Sequence, residues 1–325
     1  MEEQIFLQRT DLTALNEAEM LIRNEIKKII VGQDEMVKLI IAALLADGHV
    51  LIEGVPGVAK TLTAKLVARS INVGFSRIQF TPDLMPSDVL GTPVFNPREA
   101  TFDFKKGPVF SNIVLIDEIN RAPAKTQSAL FEIMEERQAT VDGKTHLMEM
   151  PFMVLATQNP IEQEGTYRLP EAQLDRFLFK ILVPYPTELE EISILNQFHQ
   201  MGNTAALDTI RPVLNAQQIT SLRRQIKTLI IEEKLLHFIA RLVHQTRNHK
   251  SIYLGGSPRA SLAIMNASKA IAAMQGRDFV TPEDILEVVT PVLRHRIILA
   301  PEKEMEGITE DEVIRQIIQT MDIPR

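Results

Sequence analysis

Leu12, Leu15, Leu21, Ile22, Ile26 and Ile29 recur at helical spacing with polar residues between them, which predicts an amphipathic helix laid on a larger body. A second helix is predicted over 33–46 and runs into His49, Val50, Leu51, Ile52 and Glu53, a short apolar strand that stops at Gly54. Beyond it the pattern alternates: a helix over 60–70, a strand over 76–80, a long insertion, then the apolar strand from Ile113 to Ile116. A helix over 125–135 leads into 139–148, where Asp142 and Gly143 mark a turn able to reverse the chain as a β-hairpin. Strands over 152–156 and 179–183 follow. This order predicts an α/β fold, a mostly parallel sheet sandwiched by helices.

Pro184 and Pro186 interrupt the alternation, and past them helical periodicity takes over, from Glu188 to Gln200 and again from Ala216 onward. The expected organisation is therefore an N-terminal helix plus α/β domain over 1–186, then a linker and a smaller all-helical domain over 187–325. Thr281, Pro282 and Asp284 supply a cap, a first-turn proline and an acid at the third position, which starts a late helix.

Composition narrows the function classes. At 325 residues the chain has room for two cores, and its net charge of −7 disfavours general nucleic-acid binding. There is no cysteine, so disulfides, thiolate metal sites and a cysteine nucleophile are excluded. Met1, Glu2 and Glu3 do not open a secretory signal, and the strongest apolar window, Leu39 to Leu45, is too short to span a bilayer. A cytoplasmic chain without a membrane span is expected. His237, His244 and His295 form no persuasive metal site; His295 stands between Arg294 and Arg296, where like charge opposes a cation.

The chemistry begins where the first strand ends. Gly54, Val55, Pro56, Gly57, Val58, Ala59, Lys60 and Thr61, leading into Leu62, lie between a buried strand and a helix. There, backbone N–H groups and a helix dipole can wrap phosphate oxygens. Lys60 is spaced to reach the β- and γ-phosphates, and the Thr61 hydroxyl to hold magnesium. Ala59 departs from the strict phosphate-loop pattern, which has glycine there; a positive φ at that position would cost alanine stability. The strand Ile113 to Ile116 ends in Asp117 and Glu118. Asp117 is expected to help place the ion through its water shell, and Glu118 to deprotonate the attacking water. Asn159 closes the next strand after Ala156, Thr157 and Gln158, and can position that water or sense the γ-phosphate.

In this order the motifs resemble an AAA+ ATPase, and their wording resembles its MoxR family, in the helix-2-insert clade related to magnesium chelatase ATPase subunits. The likeness runs from about Ile30 to Arg259, through GVPGVAKT (54–61), LIDEINRAPAKTQSALFEIMEERQ (115–138), ATQNP (156–160) and LPEAQLDRF (169–177). Alanine at the Ala59 position is common in that family. The resemblance implies a P-loop domain with a helical lid. It further implies an arginine finger at Arg176 that enters a neighbouring subunit's site, and a sensor arginine at Arg259 over bound nucleotide. Val31 and Gly32 match the segment that borders adenine. Arg168 stands where relatives often have proline. The stretch from Phe95 to Phe110, with Asn96, Pro97, Lys105, Lys106, Gly107 and Pro108, resembles the insertion in helix 2, and the hairpin at Asp142 and Gly143 the insertion before sensor 1.

The leading expectation is ATP hydrolysis with magnesium by a ring-forming homo-oligomer, hexameric by resemblance. Such a ring would remodel a protein client or assist metal-cofactor insertion, with a von Willebrand factor A domain protein as the implied partner. Two other classes stay open: a nucleotide-gated assembly module with incidental turnover, and a nucleic-acid-linked motor, against which the acidic balance weighs.

Overall fold

A computed structural model describes residues 11–159, 167, 169–201 and 210–324. Met1, Glu2, Glu3, Pro160 and Arg168, named above, lie outside the described residues. The chain opens with α1 (Thr13–Lys27) and α2 (Asp34–Leu45), then enters β1 (Val50–Gly54), α3 (Lys60–Ser70) and β2 (Phe75–Gln79). A short helix α4 (Pro86–Leu90) leads to an antiparallel hairpin of β3 (Gly91–Asn96) and β4 (Thr101–Lys106). Next come β5 (Ile113–Asp117), α5 (Ala124–Glu136), the hairpin β6 (Gln138–Val141) and β7 (Lys144–Leu147), β8 (Met153–Gln158), α6 (Glu171–Leu174) and β9 (Phe179–Val183). The hairpins expected around Phe95–Phe110 and at Asp142–Gly143 are both present.

Among the described residues, one five-stranded sheet runs in the order β2-β5-β8-β1-β9 with every pair parallel. Parallel pairing brings all the strand ends to one edge and all the starts to the other. Both faces are covered, so strand residues alternate between two cores rather than between core and water. On β5, Ile113 and Leu115 join the core beneath α1, α2 and α3, whereas Val114 and Ile116 join the one beneath α5, with Leu130, Phe131 and Met134. α1 buries Leu15, Ala18, Ile22 and Ile26. Leu21, expected on that face, is instead 53% exposed; the buried stripe passes through Ile22, one residue on, which turns Leu21 to solvent.

Past β9 the chain is mostly helical: α7 (Glu188–Met201), α8 (Ala216–Lys227), α9 (Glu233–Asn248), α10 (Pro258–Met274), α11 (Pro282–Leu293), α12 (Pro301–Met305) and α13 (Glu310–Gln319). A small two-stranded sheet interrupts the helices. β10 (Ile252–Leu254), which precedes α10, pairs antiparallel with β11 (Ile298–Leu299), which follows α11. Thr281 and Asp284 form the expected capping box on α11, and Asp284 is held further by Arg277 at 2.6 and 2.7 Å. The helical part grips the strand-start edge: Arg294 Nη1 donates to Lys180 O at 3.1 Å, Arg296 Nη1 to Leu178 O at 3.1 Å, and the His295 ring meets Phe177 O at 2.9 Å. No helix among the described residues is long and apolar enough to cross a membrane.

Candidate active site

Gly54 ends β1 because the neighbouring strand leaves no room for a side chain: a Cβ there would stand 2.8 Å from Val183 O. The loop then turns through Gly57, at φ +88°, and Ala59, at φ 60°, before α3 begins at Lys60. The positive φ suspected at Ala59 is therefore present, at a cost of about 1 kcal/mol for an L-residue. It aims the first N–H groups of α3 toward the loop's concave side, where an anion is favoured. Lys60 Nζ donates back to Gly54 O, across the mouth of the loop. Partial burial pulls its ammonium below the usual lysine range, against the opposing charges of Asp117, Glu118 and Glu53. A half-desolvated cation with a single backbone oxygen to bind suits a phosphate group.

On the adjoining strand ends, Asp117 is buried and both of its oxygens are engaged. Oδ2 accepts from Arg77 Nε at 2.6 Å, and Oδ1 from the Thr157 hydroxyl at 3.0 Å. The same hydroxyl accepts from the Glu118 backbone N–H at 3.1 Å, so one side chain on β8 fixes both acids. Glu118 sits in the left-handed region at φ 56°, a strained geometry for glutamate that turns its side chain away from the strand direction. Its Oε2 accepts from Gln79 Nε2 at 2.7 Å and pairs with Arg121 Nε at 3.0 Å. The Thr61 hydroxyl and the Asp117 carboxylate are hard oxygen donors of the kind magnesium takes. Because Asp117's oxygens already accept from Arg77 and Thr157, the pair fits an ion held through its own water shell.

Asn159 follows β8 directly, and the pairing of Glu53 with Gln158 puts it level with Gly54 at the start of the loop. The turn at Val31 and Gly32 reaches the same edge. Gly32 has φ +68° and no room for a Cβ, which would meet Glu190 Oε1 at 2.5 Å, and Gln33 Nε2 donates to Pro184 O just after β9. Between loop and edge strand lies a groove of about 430 Å³ lined by Glu53, Gly54, Val55, Leu182, Val183, Pro184 and Tyr185.

The two arginines go elsewhere. Arg176 lies three residues before the first residue of β9, Phe179, which pairs with Val50 at the start of β1. It therefore lies off the strand-start edge, roughly 13 Å of strand away from the loop. Its Nη1 donates to Phe131 O and its Nε stands 3.8 Å from Glu135 Oε2. Arg259 Nη2 donates to the other oxygen of the same carboxylate, Glu135 Oε1, at 2.9 Å. Arg259, expected over bound nucleotide, stands beside Arg176 at the edge away from the loop of its own chain. The cause is the docking of the helical part: Ser257, the cap of α10, donates to Asp175 Oδ2 at 3.0 Å, and Arg296 Nε to Asp175 Oδ1 at 2.7 Å. Sequence reasoning missed Arg77, Thr157, Asp175 and Glu135 as parts of these assemblies. Thr157 had a signal: a hydroxyl two residues before Asn159 on the strand beside the acids.

Such a loop, at the end of a central parallel strand with acids on a nearby strand end, defines a P-loop nucleotide-binding fold, here with a helical lid. Residues 49–179 match the model of the ATPase family associated with various cellular activities (AAA), and residues 244–317 match the AAA lid domain. The chain is 45% identical over 310 residues to Chaperone MoxR1 of Mycobacterium tuberculosis, covering 93% of this chain and 81% of that one. It is also 45% identical over 299 residues to the uncharacterized protein YeaC of Bacillus subtilis, covering 92% of each. A crystal structure of a candidate ATPase from Cytophaga hutchinsonii superposes with a TM-score of 0.86 at 41% identity, over 97% of this chain and 99% of that one. The chain belongs to the MoxR family of AAA+ ATPases.

Proposed function

We propose that the protein hydrolyses ATP in a magnesium-dependent ring of identical subunits, hexameric as the resemblance implies, in which each site is completed by a neighbour's arginines. One observation carries this reading: the loop and its acids occupy the strand-end edge, whereas Arg176 and Arg259 share Glu135 at the strand-start edge. A subunit alone has no arginine finger for its own nucleotide; a head-to-tail neighbour supplies one.

The roles follow from the chemistry. Gly54, Val55, Pro56, Gly57, Val58 and Ala59 offer backbone N–H groups or clearance to the phosphates, with Leu62 anchoring the start of the helix. Lys60 exchanges Gly54 O for the β- and γ-phosphate oxygens. Thr61 and, through water, Asp117 would hold magnesium, which would supply charge neutralisation at the phosphates. Glu118 takes the proton of the attacking water, which Asn159 orients. Val31 and Gly32 border the base. Arg176 and Arg259 meet charge building on the neighbour's γ-phosphate.

The nucleotide-binding unit is taken as 1–186 and the linker with the lid as 187–325. Turnover in the cytoplasm would drive a chaperone-like remodelling of partner proteins or metal-cofactor insertion, with a von Willebrand factor A domain protein as partner. A relative that is itself named a chaperone supports the first of these. The test is steady-state ATP hydrolysis against protein concentration, with magnesium, for the wild type and Arg176→Ala, each sized in the same samples. Specific activity that rises with assembly, and a variant that assembles yet stays inactive, are expected. Equal, concentration-independent activity in both would refute the shared site.

A further inference from the structure

β2 lies at the edge of the five-stranded sheet, and its register sets Arg77 opposite Leu115 and Gln79 opposite Asp117 on β5. Side chains two apart share a face, so Arg77 and Gln79 stand on the side of the sheet from which Asp117 projects. The guanidinium reaches along the strand toward its end. Nε donates to Asp117 Oδ2 at 2.6 Å, and Nη2 to Gln79 Oε1 at 3.4 Å. Gln79 in turn donates to Glu118, which also pairs with Arg121. The two acids and two arginines are thus joined in one run of contacts.

Charge decides what that run does. Among the described residues, the cations that contact these acids or feel their charge are Arg77, Arg121 and Lys60. Glu53, which Lys60 also feels, is matched by Lys180 at 3.0 Å. Three positive groups therefore face two negative ones, and the side chains by themselves set up a net positive field at the strand ends. Such a field repels a bare divalent cation and attracts a triphosphate. Arg77 is half-exposed, but at contact distance from a buried carboxylate its effect is weakened by solvent rather than removed. Thr157 orients the other oxygen of Asp117 without adding charge. Each carboxylate oxygen accepts more than one hydrogen bond, so with Arg77 and Thr157 in place Asp117 can still accept from water around an ion.

We infer that Arg77 is a positioning residue that makes metal binding conditional on nucleotide: it holds Asp117 in place and offsets its charge, so the acid takes the ion only together with phosphate oxygens. The inference rests on the reading of Thr61 and Asp117 as the groups that hold magnesium.

The test uses manganese, which like magnesium takes oxygen donors, with binding to the full chain read by electron paramagnetic resonance. Arg77→Gln sets an amide nitrogen where the arginine has Nε, which keeps a donor for Asp117 and removes the charge; Arg77→Lys keeps the charge. Without nucleotide, the wild type and Arg77→Lys should bind manganese weakly and alike, and Arg77→Gln at least about tenfold more tightly. Adding Asp117→Asn to Arg77→Gln should abolish the gain, which separates an ion at this acid from ions spread over an acidic surface. With a chelator and no metal, ATP should bind Arg77→Gln at least about threefold more weakly than the wild type. No gain in Arg77→Gln, or a gain that survives Asp117→Asn, would overturn the inference. So would a wild type that binds manganese as tightly alone as with ADP, a comparison that needs no variant. Asp117→Asn alone separates the underlying reading: if manganese with ADP binds it as it binds the wild type, the ion site itself is misplaced and the inference goes with it.

Discussion

Thr157 stands between the two acids: its hydroxyl donates to Asp117 Oδ1 at 3.0 Å and accepts from the backbone N–H of Glu118 at 3.1 Å. A buried hydroxyl that satisfies a carboxylate and an amide at once sets where both acids point. Thr157→Val keeps the shape and removes both bonds. It should cost about 1–3 kcal/mol of stability and lower kcat, while Thr157→Ser should restore kcat. Denaturant unfolding and steady-state hydrolysis, run on the same preparations, check both.

Glu118 carries the proton in the proposed reaction, and Gln79 and Arg121 would hold a glutamine much as they hold the acid. Glu118→Gln should therefore bind ATP with near wild-type affinity and turn over at least about 100-fold more slowly. Fluorescent-nucleotide titration beside a phosphate-release assay separates the two effects. Unchanged turnover would remove Glu118 from the mechanism.

Ala59 holds φ 60°, a conformation that glycine adopts without cost. Ala59→Gly should relieve about 1 kcal/mol of strain, partly offset by greater freedom in the unfolded chain. A thermal midpoint that rises slightly or holds level is expected. A fall of several degrees would mean that the alanine methyl group makes a packing contact worth more than the strain.

His49 and His295 are both buried, and burial holds each well below the ordinary value of 6.5, helped by Arg137 near His49 and by Arg296 near His295. Each stays neutral when folded but takes a proton when unfolded. Their contribution is thus fully present above pH 6.5 and is lost as the pH falls from there toward the folded values. Unfolding free energy measured between about pH 7.5 and 5.5 should decline, and His295→Gln should flatten that decline by close to one proton.

Much of the site was legible because it is local in sequence. The loop from Gly54 to Thr61 and the acids after Ile116 fall at junctions that apolar runs announce. The helix over 60–70 and the strand over 179–183 match α3 and β9. What escaped depends on register and docking. Thr157 matters because β8 lies beside β5 with Ile116 opposite Ala156, and no pattern within either strand states that pairing. Arg259 was expected above the nucleotide because its place in the lid was readable. Which edge the lid grips is decided instead by Arg294, His295 and Arg296 meeting backbone oxygens far away in the chain. Leu21 was misplaced by a single residue, enough on a helix to turn a side chain outward.

Glu135 joins Arg176 and Arg259, one on each oxygen. A single negative charge between two guanidiniums leaves the trio with an unbalanced positive charge while tying both arginines in place. In the proposed ring, an incoming polyphosphate would therefore meet a field already assembled, with little left to gather and orient. The carboxylate acts as a template: it spends part of the attraction to keep two long side chains aimed together, one from the sheet domain and one from the lid. Any swing of the lid is consequently felt at Arg176, through one shared acid.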